Sequence, residues 1–342
     1  MHIPARIRPW LAALIGAAVL VLPSCNRGED ACELDPEIAK VPVAVQLERL
    51  EVPFFQLKNN VDVNRFVETH PLFARQILQV QQYPAQAQNA TLLRLASNPD
   101  LRRLYLKADS IFTTPKLEAG LKPLFQHIRY YFPSFQPPLV ETFVTGLSQH
   151  LFVNDSLLMI SPDFFVGPTA KYRPQMPDYM LRRYTPDHLM PTIALAISSK
   201  YNQKQTVNPT MLSEMVYYGK SLYFAEKVLP CTADSLLIGY TNKEMAGVAF
   251  NESKIWAHFI EKSLLYNTES FTIQKYVGER PNIPEIDKTC PGRVGAWVGW
   301  QIVRKYMAEH PTVTLRQLMS EKNAQRILSE SRYRPKPRRA ER

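Results

Sequence analysis

The sequence predicts an α+β fold, predominantly α-helical with a small β-sheet, built as a single body. Three observations lead there. From residue 61 onward, apolar residues recur at spacings of three and four, the period of helices that bury one face. Two short stretches, Pro138 to Gly146 and Leu157 to Ile160, carry instead the dense apolar content of strands, and Asn154-Asp155 supplies a turn before the second. Finally, 28 Pro stand against only 12 Gly in 342 residues, a balance that suits helices joined by stiff, extended loops. With 45% hydrophobic residues, 16 Tyr, 16 Phe and 4 Trp, the chain has the material for a large core and is not an intrinsically disordered polymer.

The first element is a leader. Arg6 and Arg8 are followed by an apolar run from Trp10 to Leu22, then by Ser24 and Cys25. A basic region, an apolar region and a small residue before a cut are the layout of an exported precursor. The run is shorter than the roughly 20 apolar residues a membrane span requires. Leu22-Pro23-Ser24-Cys25 resembles the lipobox of bacterial lipoproteins. Residues 1–24 are therefore expected to be a lipoprotein signal peptide, with Cys25 the site of lipid attachment. An ordinary secretory signal with an incidental cysteine is the alternative. Residues 25–42, containing Cys32 in an acidic segment, read as a polar tether.

The body is expected over residues 43–331. Val43 to Leu57 alternates apolar and charged residues and reads as a strand. Residues 61 to 125 read as helices, with Asn98-Pro99-Asp100 as a break and cap. Pro138 to Gly146 and Leu157 to Ile160 are expected to pair as a hairpin. Ser161 to Pro191 is loop-like and rich in Tyr, Arg and Pro, and a loop of that length inside a compact domain is more often functional than filler. Leu212, Met215, Val216, Gly219, Leu222 and Tyr223 then share a helix face. Asn251 is placed to cap a helix with Glu252 in its first turn and Ile255, Trp256, Phe259, Ile260 and Leu264 on its buried stripe. After Pro291-Gly292 another helix carries Val294, Trp297, Val298, Ile302 and Tyr306, and its Gly295 and Gly299, four apart, are expected to admit a neighbouring backbone. Thr314 caps a last helix reaching Leu328, and residues 332–342 read as a basic, disordered tail.

Formal net charge is +10, yet this does not indicate a nucleic-acid partner. The leader holds two of the positive charges and the last eleven residues a net five, which leaves about +3 on the body, an ordinary value. Cys231 and Cys290 could pair in an oxidising compartment, a buried free thiol being the alternative. HExxH, GxSxG, Walker-type and GxGxxG motifs are all absent from the sequence, and the seven His form no i, i+4 pair. Neither a metal nor a cofactor is expected, and no catalytic residue can be named. Glu214 and Glu252 are the acids most closely associated with the core, and helix-dipole stabilisation suffices to explain Glu252.

Several blocks taken together resemble the gliding-motility lipoprotein B (GldB-type) family of the Bacteroidota. They begin with Leu47-Glu48-Arg49-Leu50-Glu51 and Phe54-Phe55, then Asp163-Phe164-Phe165-Val166-Gly167 with Tyr172, Pro177-Asp178-Tyr179 and Arg183. They continue through Ser213-Glu214-Met215, Gly219-Lys220-Ser221-Leu222-Tyr223-Phe224 and Ile238-Gly239-Tyr240-Thr241. The most specific are Asn251-Glu252 with Ile255-Trp256 and Phe259-Ile260-Glu261, and the run from Pro291 to Val303. The resemblance implies an envelope lipoprotein, held by its lipid on the inner or outer membrane and facing the periplasm. It would serve gliding motility or the associated protein secretion machinery, with other envelope proteins as partners.

The later blocks also resemble zincin-like peptidases. In those, an HExxH helix precedes a Glu-Gly segment and a glycine-rich helix like Gly295 to Val303. Here no histidine stands in Ile193 to Ile197, and Tyr218-Gly219 occupies the place of Glu-Gly. The implied scaffold is a degenerate one without the metal chemistry. What it would keep is a groove able to hold peptide or glycan, lined by Glu214, Tyr240, Glu252, Trp256, Arg293 and Trp297. A non-catalytic scaffold is the preferred reading. The alternative is an envelope hydrolase acting on peptide or peptidoglycan, which requires two acids, with Glu214 and Glu252 the best pair, facing one cleft.

Overall fold

In the computed structural model, which describes residues 35–204 and 207–337, a four-stranded sheet is covered by helices on both faces. The leader, Cys25, Cys32 and residues 338–342 lie outside the described residues. Helix α1 (Pro36–Ala39) precedes strand β1 (Leu47–Arg49), and α2 (Glu51–Phe54) follows directly. Residues 35–42, expected as part of the polar tether, thus carry a helical turn and lead into the sheet. Ile38 is buried, and Gln126 donates its amide to the carbonyls of Ala39 (2.8 Å) and Val41 (3.1 Å) while Arg129 donates to Pro42 (2.9 Å). One apolar side chain and three satisfied carbonyls hold this stretch on the body.

Helices α3 (Asn60–Thr69), α4 (Pro71–Gln76), α5 (Ala85–Ala96), α6 (Pro99–Ile111) and α7 (Thr114–Tyr131) fill the region expected to be helical. Their starts follow capping chemistry: Asn59 accepts from Val61 and Asp62, and Asn98 from Asp100 and Leu101. The chain then returns to the sheet with β2 (Leu139–Thr142), β3 (Leu151–Val153) and β4 (Leu157–Ile160), in the order β1-β2-β4-β3. The expected hairpin is corrected. β2 and β4 are neighbours but run parallel, and the antiparallel partner of β4 is β3. Asn154 makes that turn by accepting from Ser156 and Leu157. At three residues, β3 is too short to show an alternating pattern.

The two faces of the sheet bury different cores. Val140, Leu158 and Ile160 join the main helical core, whereas Phe143, Leu157 and Met159 pack with Leu50, Phe54, Phe66 and Phe73 in a smaller one. Parallel strands covered on both faces read as continuous apolar runs, as Leu157-Leu158-Met159-Ile160 does. Against that background one rung stands out: Glu48 of β1 is in register with Glu141 of β2. Glu141 is buried, and burial together with the facing Glu48 charge pushes its carboxyl up to about 7.

Ser161 to Pro191 is less irregular than expected. It holds two 3-10 turns, Pro162–Phe165 and Pro186–His188, and helix α8 (Asp178–Leu181), and α9 (Leu189–Ser198) begins before Pro191. The main core is organised by α10 (Met211–Val228), which later packs along α15. Between them run α11 (Asp234–Ile238), α12 (Asn242–Phe250), α13 (Glu252–Glu261), α14 (Ser270–Val277) and the hairpin of β5 (Asn282–Ile283) and β6 (Asp287–Pro291). Asn251 sits at the junction of α12 and α13, but its side chain donates back to the Gly247 carbonyl in the last turn of α12 and makes no capping bond to α13. Ile255 and Phe259 are buried as expected, while Ile260 is exposed. Helix α15 (Val294–Glu309) crosses α10 so closely that a β-carbon on Gly219 would stand 2.3 Å from the Gly299 backbone. The expected close approach at the paired glycines is thus made, with Gly299 against α10 and Gly295 against Tyr276 and Val277 of α14.

The last helical stretch is two helices, α16 (Leu315–Ser320) and α17 (Ala324–Ser331), with Thr314 and Gln317 forming a reciprocal cap. Between them the chain turns over Lys220. This fully buried ammonium donates to the carbonyls of Gln203 (2.9 Å), Met319 (3.3 Å) and Glu321 (2.7 Å). Burial lowers its pKa to about 8. The body also extends past residue 331. Tyr333 is buried, and its hydroxyl donates to Glu252 at 2.8 Å. No described helix is long and apolar enough to cross a membrane.

Candidate functional site

A cleft of about 200 Å³ opens where the loop before α9 meets the ends of α11 and β6. Its lining includes His150, Arg183, Tyr184, His188, Gly239 and Arg293. Local sequence accounts for its shape. Gly239 ends α11 in the left-handed conformation (φ 76°), where glycine is at little cost. A β-carbon there would also meet Arg183 Cδ at 2.2 Å, so this glycine lets the Arg183 stem lie flat on the backbone. Arg293, at the start of α15, adopts φ 61° and ψ 18°. That left-handed geometry is uncommon for a residue with a β-carbon. It is held by the Arg293 Nη1 bond to the Ile238 carbonyl (2.6 Å) and by the buried Tyr240 hydroxyl donating to Gly292 (2.7 Å).

The electrostatics follow from one shared acid. Arg183 makes a two-point contact with Glu279, Nη1 to Oε1 and Nη2 to Oε2, each at 2.8 Å. The Nε of Arg293 lies 3.5 Å from the same Oε1. Two guanidiniums against one carboxylate leave a net positive charge at the cleft. Burial lowers the pKa of Arg293, partly offset by Glu279, but a guanidinium stays charged in proteins. Burial lowers the pKa of His150 and of His188, which favours the neutral form of each ring. The Nδ1 of His188 is engaged with the Thr185 hydroxyl at 2.7 Å. Tyr184 packs edge-on to His150 and at a tilt to Phe164 and Phe165. The site thus combines an aromatic wall, two partly buried imidazoles and a cationic floor. Such an arrangement can hold a carboxylate or similar anion by paired, charge-assisted hydrogen bonds.

The residues expected to line one groove are distributed over several places. Tyr240 and Arg293 meet at this cleft, one bracing it and the other lining it. Glu252 and Trp256 meet elsewhere, around Tyr333, whose ring is edge-on to Trp256 at 5.1 Å. Glu214 is buried at the start of α10 and forms an ion pair with Lys204 at 2.9 Å. Trp297 is a core residue whose indole N–H has no hydrogen-bond partner among the described residues. Glu214 and Glu252 each serve a separate structural contact. The Cys231–Cys290 pairing is also corrected: Cys231 is in a disulfide, but Cys290 is a free, buried thiol. Sequence reasoning singled out Arg183 but not Glu279, the acid that joins it to Arg293. A lone glutamate after Gly278 carries no signal of its own.

The comparison with known protein families agrees with the GldB-type resemblance and shows no likeness to zincin peptidases. No curated protein and no solved structure matches the chain. The family described as gliding motility protein GldB matches over residues 31–335, nearly the whole body. The chain therefore belongs to the GldB family of gliding motility proteins.

Proposed function

We propose that the protein is a lipid-anchored, non-catalytic accessory component of gliding motility or the associated secretion machinery, and that the Arg183–Glu279–Arg293 cleft recognises an acidic group on its envelope partner. Membership of the GldB family supports the process. The observation that carries the recognition role is the sharing of Glu279 by two guanidiniums, which leaves positive charge facing an open cleft. Cys25 provides the anchor to the inner or outer membrane, on the periplasmic side, as the lipobox-like leader implies. The later sequence blocks support, as part of this proposal, a zincin-like scaffold that has lost its metal ligands, since α9 carries no histidine.

The hydrolase alternative loses its best pair of acids, because Glu214 is engaged with Lys204 and Glu252 with Tyr333. The test is replacement of the chromosomal copy by Cys25→Ser and, separately, by Arg183→Met, with colony spreading, secretion and protein abundance measured together. Methionine keeps the stem over Gly239 and removes only the charged fork. Both chains should accumulate, yet spreading or secretion should fail. Normal spreading and secretion by the Arg183→Met strain would refute the recognition role.

A further inference from the structure

The rung formed by Glu48 and Glu141 lies apart from the cleft, on the sheet face that covers the smaller core. Like charges directly opposite on neighbouring strands are destabilising, and this pair is held together by the register of β1 with β2. A third polar group closes on it. His70, at the junction of α3 and α4, places Nδ1 3.3 Å from Glu48 Oε2. One donor atom from each of Glu48, His70 and Glu141 lies within 4.8 Å of the others. Glu141 is 1% exposed, and among the described residues its Oε2 has no hydrogen-bond partner; neither has the His70 Nδ1.

A buried carboxylate oxygen without a donor is costly. The opposite face of the same strands shows how the fold answers that cost elsewhere. There the buried Glu51 accepts from Thr142 at 2.8 Å and lies 3.5 Å from the Arg49 guanidinium. On the Glu48–Glu141 face no lysine or arginine among the described residues takes that place: the charge facing Glu141 is another carboxylate.

We propose that Glu48, His70 and Glu141 form a binding site for a divalent transition-metal cation, with zinc the best fit. Two carboxylates and an imidazole are a donor set that zinc accepts, and a bound water would complete four-coordination. Ligand distances of about 2.1 Å ask the three donors of a tetrahedral site to close to roughly 3.4 Å. Glu48 can supply that movement because its side chain is 48% exposed, whereas Glu141 is fixed by the sheet. The cation would neutralise the opposed charges and tie β1 and β2 to the α3–α4 junction. The site is one of fastening: the aromatic residues Phe54, Phe66, Phe73 and Phe143 pack beside it.

The experiment is equilibrium dialysis of the full chain in detergent against zinc chloride, with bound metal counted by mass spectrometry and thermal unfolding followed with and without the ion. Wild type should hold one zinc per chain and unfold at a higher temperature with zinc present. Glu141→Gln, which removes a buried charge and so should fold readily without metal, should bind at least about 100-fold more weakly and lose the thermal shift. Glu48→Gln, a change at a half-exposed side chain, should weaken binding in the same direction. Equal uptake by wild type and Glu141→Gln, or no stoichiometric uptake by wild type, would overturn the assignment.

Discussion

Gly299 of α15 lies directly against Met215 of α10: a β-carbon on the glycine would stand 1.8 Å from the methionine carbonyl oxygen. The contact is backbone to backbone, so no side-chain rotation can relieve an added methyl group. It sets the separation of the two helices that organise the main core.

Gly299→Ala should therefore be among the most damaging single-methyl changes in the chain, costing about 3 kcal/mol or more through overpacking. Gly247 in α12 is the control, since a β-carbon there meets nothing within 4 Å. Gly247→Ala should stabilise by about 0.5–1 kcal/mol through helix propensity alone. Denaturant midpoints of the two variants check both signs at once.

Lys220 predicts a pH dependence. Its folded pKa of about 8 lies below the usual 10.5, so between those values the unfolded chain binds more protons than the folded one. Stability should then rise with pH from about 8, at a slope of up to about 1.4 kcal/mol per unit from this group. Cys290, pushed up to about 12 by burial, has the opposite sign above its ordinary value of 9. The difference between wild type and Lys220→Met, measured from pH 7 to 10, isolates the lysine. A flat difference curve would contradict the assignment.

The Cys290 thiol should be unreactive in the folded chain, because burial both shields it and disfavours the thiolate. Thiol titration with and without denaturant, on wild type and Cys290→Ala, should show a thiol that reacts only on unfolding and disappears in the variant.

Tyr333→Phe removes the hydrogen bond to Glu252 and should cost about 1–2 kcal/mol, while Glu252→Gln should cost less. Truncation after Ser331 should cost more than either, because it also removes the ring packed on Trp256. Thermal unfolding of the three chains orders the effects.

What could be read in the sequence depended on how local its cause is. The helices of α10 and α15 were legible because Leu212, Met215, Val216 and Leu222, or Val294, Val298 and Ile302, repeat at the helical period. Asn98 and Thr314 were legible as caps because capping needs only the next three residues. The hairpin was misassigned because the partner of β4 has three residues, and the parallel pairing of β1, β2 and β4 is a long-range choice. Ile38 and Tyr333 escaped because a single apolar residue in a polar stretch has no period. The cleft was half visible: Tyr240 and Arg293 lay in conspicuous blocks, but Arg183 and Glu279 stand 96 residues apart, and only the fold brings them together. The same holds for Glu48, His70 and Glu141, which share no spacing motif.

The most direct test of the account is cross-linking in native envelopes followed by purification of the full chain, as wild type and as Arg183→Met. The account predicts that wild type recovers motility or secretion proteins and that the variant, equally abundant and equally lipidated, does not. Recovery of the same proteins in the same amounts by both chains would contradict it.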